Sequence, residues 1–92
     1  MDNGFRQLAL AADKKYGTQS QIDLCIEEMS ELTKELIKRS RGKDNFDAIA
    51  EEVADVQIMI NQLKVSLDME DAVRKHFDAK LKKLKTILSA RI

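Results

Sequence analysis

The chain contains no proline, and its apolar residues recur at helical spacing along almost its whole length. Proline is the strongest helix breaker among the amino acids, and glycine is the next. Only three glycines occur in the 92 residues, whereas Leu, Ile, Ala, Glu and Lys are abundant. The sequence therefore predicts one all-α domain over residues 1–92.

Four helices are predicted from the periodicity and from the breaks between them. They cover approximately residues 3–15, residues 18–39, residues 44–65, and the chain from Asp68 onward. Gly17 is placed to end the first helix, and Thr18-x-x-Gln21 is typical of a capping box at the start of the second. Asp44 is the expected N-cap of the third.

The third helix is predicted to be apolar on two sides. One apolar sector consists of Ile49, Val53, Val56, Ile60 and Leu63, and the other of Ala50, Ala54, Ile58 and Val65. A helix with two apolar faces must be covered on both. Because four helices cover only one of them easily, the second face predicts a subunit interface, and hence a helical-bundle dimer or dimer of dimers.

Composition excludes several classes of function. The 16 basic and 16 acidic residues balance, so no overall basic field indicates binding to nucleic acid or to an acidic membrane. Cys25 is the one cysteine, which excludes an intrachain disulfide and fits a reducing cytoplasm. No apolar run is long enough for a membrane span, and the N-terminus lacks the pattern of a secretory signal. We expect a cytoplasmic protein.

Two short acidic clusters contain the residues with the clearest chemical meaning. Glu28 and Glu31 are three residues apart in the second helix, and Glu52 and Asp55 are three apart in the third. On a helix this spacing places both side chains on one face, one turn apart. Antiparallel helices joined by a short loop are neighbours, so the four carboxylates are expected to meet.

Carboxylates held close together repel one another, and this favours a compensating cation. Oxygen ligands alone favour Mg²⁺, with Mn²⁺ as a substitute. A di-iron bundle would need Glu-x-x-His on two helices, but Val73 stands three residues before His76, the only histidine. The alternative is that these acids form ordinary solvated helix faces.

The acidic motifs, with their surroundings, resemble a known family. Glu27-Glu28-x-x-Glu31 followed by Glu52-x-x-Asp55 resembles the EExxE…ExxD signature of the MazG-like, all-α nucleoside triphosphate pyrophosphohydrolases. The resemblance extends over residues 14–65 and is greatest to the short, single-domain members carried by phages and prophages. ExxE alone is unspecific, whereas both halves at this spacing are much more specific.

The resemblance implies a hydrolase that cleaves nucleoside triphosphates between the α and β phosphates, with Mg²⁺, as a homodimer or homotetramer. It implies that Glu28, Glu31, Glu52 and Asp55 are the catalytic metal ligands. Glu27 and Glu51 point away from these four on a helical projection and rank below them.

Five further residues are candidates for contact with the nucleotide. Gln62 lies two turns beyond Asp55 on the same face, where many family members carry an Asn. Tyr16 is a candidate for stacking on the base, although helix packing is the simpler interpretation. Gln21, Lys43 and Lys83 complete the set, the two lysines as a source of positive charge for phosphate.

Two other interpretations remain open at this point. One is a catalytically weak bundle that binds a nucleotide or a protein partner through the same fold. The other is a helical oligomerisation module whose acids are simply solvated. The sequence does not specify the base or the sugar of a nucleotide.

Overall fold

The computed structural model describes residues 3–90, which fold into four α-helices. Helix α1 spans Asn3–Tyr16, α2 spans Thr18–Ser40, α3 spans Phe46–Ser66 and α4 spans Glu70–Ala90. The described range contains no strand, which confirms the predicted all-α class. The helix boundaries differ from the prediction by a few residues, and the differences have local causes.

The turn between α1 and α2 depends on Gly17. Its φ of 87° and ψ of 150° are accessible to glycine and strained for other residues. Its N–H donates to the carbonyl of Asp13, 2.8 Å away, and so closes the end of α1. The capping box is not formed, because the Thr18 hydroxyl donates to the Asp13 carboxylate at 2.6 Å and Gln21 is buried.

The N-cap position of α3 is occupied by Asn45 and not by Asp44, and the Asn45 side chain makes no capping hydrogen bond to the helix. Asn45 is buried, and its side-chain amide donates to the carbonyl oxygen of Glu35 at 2.9 Å and to the Glu35 carboxylate at 3.1 Å. The Glu35 carboxylate also accepts a hydrogen bond from Lys38 at 2.9 Å. These two partners, Lys38 first, lower the pKa of Glu35. The start of α3 is thereby attached to the last turns of α2.

Helix α4 begins two residues later than predicted. Asp68 has a φ of 49°, and its N–H donates to the carbonyl of Val65 as the chain leaves α3. A residue in this left-handed conformation belongs to the turn, so the helix starts at Glu70. The Glu70 carboxylate pairs with Arg6, which links the start of α4 to α1.

Helices α2 and α3 form the principal contact of the subunit, and α1 packs against both. Cys25, Val56 and Met59 are buried in this three-helix core. The periodicity of the sequence predicts that the core stripe of α2 consists of Ile22, Cys25, Ile26, Met29, Leu32, Thr33, Leu36 and Ile37. This prediction is only partly correct. The buried side of α2 is rotated toward Gln21, Cys25 and Glu28, while Met29, predicted as core, is 42% exposed.

Much apolar surface is left uncovered in the single subunit. Ile26, Leu36 and Ile37 of α2, and Val53, Ile58 and Ile60 of α3, are among the exposed large apolar residues. Among the described helices, α4 packs only against α3, and none of its residues is buried. None of the helices in residues 3–90 combines the length and hydrophobicity required to cross a bilayer.

We predict that Gly17→Ala destabilises the fold by about 1–3 kcal/mol, since alanine is strained at this φ and ψ. No atom lies within 4 Å of the added Cβ, so the cost is backbone strain and not a clash. Chemical denaturation with urea measures it. Gly4→Ala, an exposed position inside α1, is the matched control and should be neutral or slightly stabilising. Equal stability of the two variants would show that the turn tolerates a side chain.

Candidate metal centre and adjoining pocket

Three of the four predicted metal ligands come together between α2 and α3. Glu28, Glu52 and Asp55 each present one carboxylate oxygen, and these oxygens all lie within 4.8 Å of one another. All three residues are half-buried. The helical spacing and the short α2–α3 loop account for this arrangement, as the sequence predicted.

The location of the cluster on α2 differs from the prediction. The sequence predicts a line of Gln21, Glu28, Glu31 and Glu35 mostly opposite the apolar stripe of α2, with Glu28 close to the edge of that stripe. Instead these residues lie on the side that includes buried Cys25. The interface of α2 and α3 therefore contains acidic groups where an ordinary bundle has apolar ones.

Burial and mutual repulsion both act on the carboxylates. The pKa of Glu52 is raised, first by desolvation and then by the charges of Asp55, Glu28 and Glu31. The pKa of Glu28 is raised by desolvation, by Asp55 and by its neighbours on α2. One oxygen of Glu52, Oε2, is buried and has no hydrogen-bond partner among the described residues. Folding thus removes this carboxylate oxygen from water without a hydrogen bond that replaces its lost hydration.

This donor set fits a hard divalent cation. Three carboxylates give six oxygens, and Mg²⁺ and Mn²⁺ prefer such ligands over sulfur or imidazole. A cation between them would satisfy the orphaned Glu52 oxygen and would cancel the repulsion that raises the pKa of Glu28 and Glu52.

Glu31 is the predicted ligand that is not in the cluster. It is half-buried, and its carboxylate forms an ion pair with Lys34 at 3.3 Å, one turn farther along α2. Its charge nevertheless contributes to the raised pKa of both Glu28 and Glu52. Glu31 therefore lies within electrostatic range of the three and is held to one side by a lysine.

A pocket of about 520 Å³ opens between the start of α2, the end of α1 and the second half of α3. Three of the predicted nucleotide contacts, Tyr16, Gln21 and Gln62, line it. Tyr16 is 59% exposed, so its interpretation as a helix-packing residue is wrong for the single subunit. The ammonium group of Lys15 lies 5.2 Å from the centroid of the Tyr16 ring.

The two predicted phosphate-binding lysines are not at this site. Lys43 is exposed in the α2–α3 loop, 15 residues after Glu28, at the end of α2 remote from the pocket. Lys83 is exposed on α4, which packs only against α3. Neither lines the pocket, and no lysine or arginine does so among the described residues.

Sequence reasoning missed some of the polar residues at the pocket. Asp23 and Glu27 both line it, although Glu27 was ranked low because it points away from the cluster. Their spacing from Gln21, two and six residues along α2, does not place them on one narrow face. These residues line one pocket only because the end of α1 lies beside them.

Comparison with known proteins adds no relative, since no family model, no curated protein and no solved structure matches the chain. The resemblance to the MazG-like family therefore rests on the acidic motifs and their surrounding residues alone.

We predict that Glu52→Gln stabilises the metal-free protein at neutral pH. The ionised Glu52 costs free energy in the folded state, because folding raises its pKa. That cost is present above the raised pKa and disappears as the pH falls below the ordinary pKa of glutamate, about 4.3. The gain in Tm should therefore be clear at about pH 7 and small at about pH 3.5.

Thermal unfolding in EDTA measures this difference, with Glu51→Gln as the matched control on an exposed position of the same helix. Equal shifts for the two variants, or a gain that persists at low pH, would contradict a strained acidic cluster.

Proposed function

We propose that this protein is a Mg²⁺-dependent nucleotide pyrophosphohydrolase, which cleaves a (deoxy)nucleoside triphosphate to the monophosphate and pyrophosphate. The observation that supports this best is the cluster of Glu28, Glu52 and Asp55, with oxygens within 4.8 Å and one buried Glu52 oxygen unpartnered. The pocket, whose lining extends along α2 from Ser20 to Glu27, next to Glu28, offers room for the nucleoside. The acidic motifs that resemble the MazG-like family point to the same chemistry.

In this proposal Glu28, Glu52 and Asp55 hold the cation, and Glu31 joins them when its side chain leaves Lys34. A divalent cation supplies neutralisation of the polyphosphate and acidification of a bound water. The half-buried position of the carboxylates excludes bulk water from the side formed by the α2–α3 contact.

The bond changes are those of a hydrolysis. The oxygen of water bonds to phosphorus while the bridging bond between the α and β phosphates breaks. Pyrophosphate leaves with the electron pair of that bond, and the proton of the water passes to solvent. No oxidant, reductant or organic cofactor is needed.

We further propose that the working form is a homodimer or homotetramer in the cytoplasm. The uncovered apolar residues of α2, α3 and α4 support self-association, since a second copy would bury them. The free thiol of buried Cys25 fits a reducing compartment.

The decisive test of the activity is pyrophosphate release from a panel of NTPs and dNTPs, with Mg²⁺ and with EDTA. We expect Mg²⁺-dependent release that falls at least about a hundredfold in Glu52→Ala, because the remaining carboxylates cannot hold the cation in place. Asp47→Asn, an exposed acid on the same helix, should retain activity. Absence of release from every nucleotide would refute the enzyme.

The assembly is tested by light scattering coupled to size exclusion. We expect Leu84→Asp to shift the protein toward the monomer, because Leu84 is 49% exposed in the apolar stripe of α4. Thr86→Asp introduces the same charge on the opposite side of the helix and should leave the assembly intact. A monomeric wild-type protein would overturn this part of the proposal.

One observation favours a second candidate, a nucleotide-binding module with little catalysis. Only three of the four predicted ligands come together, and the fourth, Glu31, is paired with Lys34. This candidate predicts Mg²⁺-dependent nucleotide binding, measurable by calorimetry, without pyrophosphate release.

A further inference from the structure

Helix α2 carries an apolar stripe that lies outside the three-helix core. Its residues are four, three, four and three positions apart, namely Ile22, Ile26, Met29, Thr33 and Leu36. Ile22 is half-buried, and the other four are exposed. Alternating steps of four and three are the pattern of a helix that packs along the whole length of a second helix. No such helix lies on this stripe among residues 3–90 of the single subunit.

Helix α4 carries a stripe with the same spacing. Phe77, Leu81, Leu84 and Leu88 are four, three and four positions apart, and all four are exposed. These four residues, like the first four of the α2 stripe, rise about 16 Å along the helix axis. Within residues 3–90 of one subunit, α2 and α4 do not contact each other. In this fold the two matching stripes can therefore pair only between different molecules.

Charged residues beside the stripes decide the orientation of such a pair. Asp23 and Glu27 lie on one flank of the α2 stripe, and Lys82 and Lys85 lie on the corresponding flank of the α4 stripe. An antiparallel alignment brings the two acids beside the two lysines, whereas a parallel one places Asp23 level with Asp78. Opposite charges at flanking positions determine partner and orientation in paired helices.

The flanking charges are also free to take part. Asp23, Glu27, Lys82 and Lys85 are all exposed, and none of them forms an ion pair with a described residue of its own subunit. The chain therefore presents an apolar stripe with an acidic flank on one helix and an apolar stripe with a basic flank on another. The two surfaces are complementary in spacing and in charge.

We propose that the stripe of α2 is the docking surface for α4 of a second copy of this chain, in an antiparallel and reciprocal contact. The α4 residue of each pair belongs to the partner, and the register pairs Ile22 with Leu88, Ile26 with Leu84, Met29 with Leu81 and Thr33 with Phe77. A twofold axis repeats the contact with the roles of the two copies exchanged. One type of contact then covers both stripes, whereas pairing of α4 with α4, or of α2 with α2, leaves one stripe of each subunit exposed.

This inference rests on the self-association in the proposed function and not on the hydrolase activity. Charge reversal on the flanks tests it. We expect Lys85→Glu and Asp23→Lys each to raise the dissociation constant of the dimer at least about tenfold at low ionic strength, because symmetry places two like-charged pairs in every dimer. Sedimentation velocity over a concentration series measures the constant. Lys75→Glu makes the same change of charge at an exposed position on the other side of α4 and should leave the constant unchanged.

An equimolar mixture of the two weakened variants is the second measurement. In a mixed dimer the altered α4 of one chain meets the altered α2 of the other, and the two unaltered helices meet each other. Every flanking pair is then again opposite in charge, so we expect the mixture to associate within about threefold of the wild-type constant. Chains that had lost their fold would not recover on mixing.

The outcomes separate this pairing from the proposals on which it builds. A wild-type dimer that only one of the two variants weakens, as in pairing of identical helices, or that neither weakens, would overturn the α2–α4 contact and leave self-association intact. Failure of the mixture to recover would also overturn that contact. A monomeric wild type would overturn self-association and the contact together. Release of pyrophosphate, or its absence, decides only the hydrolase.

Discussion

The contact between α2 and α3 determines where every group of the candidate site lies. The ends of this contact are stabilised by residues outside the acidic cluster. Cys25 and Met59 are buried toward one end, and Asn45 donates a hydrogen bond to Glu35 at the other. Between these anchors the helices bring three carboxylates within 4.8 Å of one another. The contact is thus stabilised at its ends and destabilised by repulsion at its middle. A fold selected only for stability would place apolar residues there.

The exposed apolar surface of the subunit has a related explanation. A chain of this length buries a small fraction of its surface compared with larger domains, and here α4 adds almost nothing to the core. The apolar residues of α2, α3 and α4 that remain exposed would be costly in an isolated monomer. Self-association would add stability that offsets the acidic cluster. The proposed self-association and the candidate site would therefore be linked energetically.

The sequence predicted the fold well wherever helical periodicity and a glycine determined the outcome. All four helices were predicted, and Gly17 ends the first because its backbone conformation is strained for other residues. The helix starts were less accurate. Asn45 and not Asp44 occupies the N-cap position of α3. Its side chain bonds to Glu35, ten residues earlier in the chain, and not to the start of the helix, and a contact of that kind has no local signature.

The candidate site was predictable to a similar degree. The spacing of Glu52 and Asp55, with the short loop, was sufficient to predict that they meet Glu28. The orientation of α2 was not predictable in the same way, because both of its sides carry apolar residues. Only the packed structure shows that the side with Gln21 and Glu28 faces inward and that Met29 is exposed.

The same inward orientation explains why the site and the pocket lie on neighbouring turns of α2. If the apolar stripe of α2 had packed inward as predicted, Glu28 would lie at the edge of the contact and Gln21 would face water. Rotation toward the polar side instead buries an amide and a carboxylate on one helix, two turns apart, each facing α3. The unpartnered Glu52 oxygen and the repelling carboxylates reduce the stability of this contact. A ligand with a negative chain at one end would compensate them once a cation joins it to the carboxylates, and a hydrogen-bonding ring at its other end would reach Gln21, which lines the pocket. A nucleoside triphosphate has this pattern of charge and polarity, whereas inorganic pyrophosphate would satisfy only the acidic end.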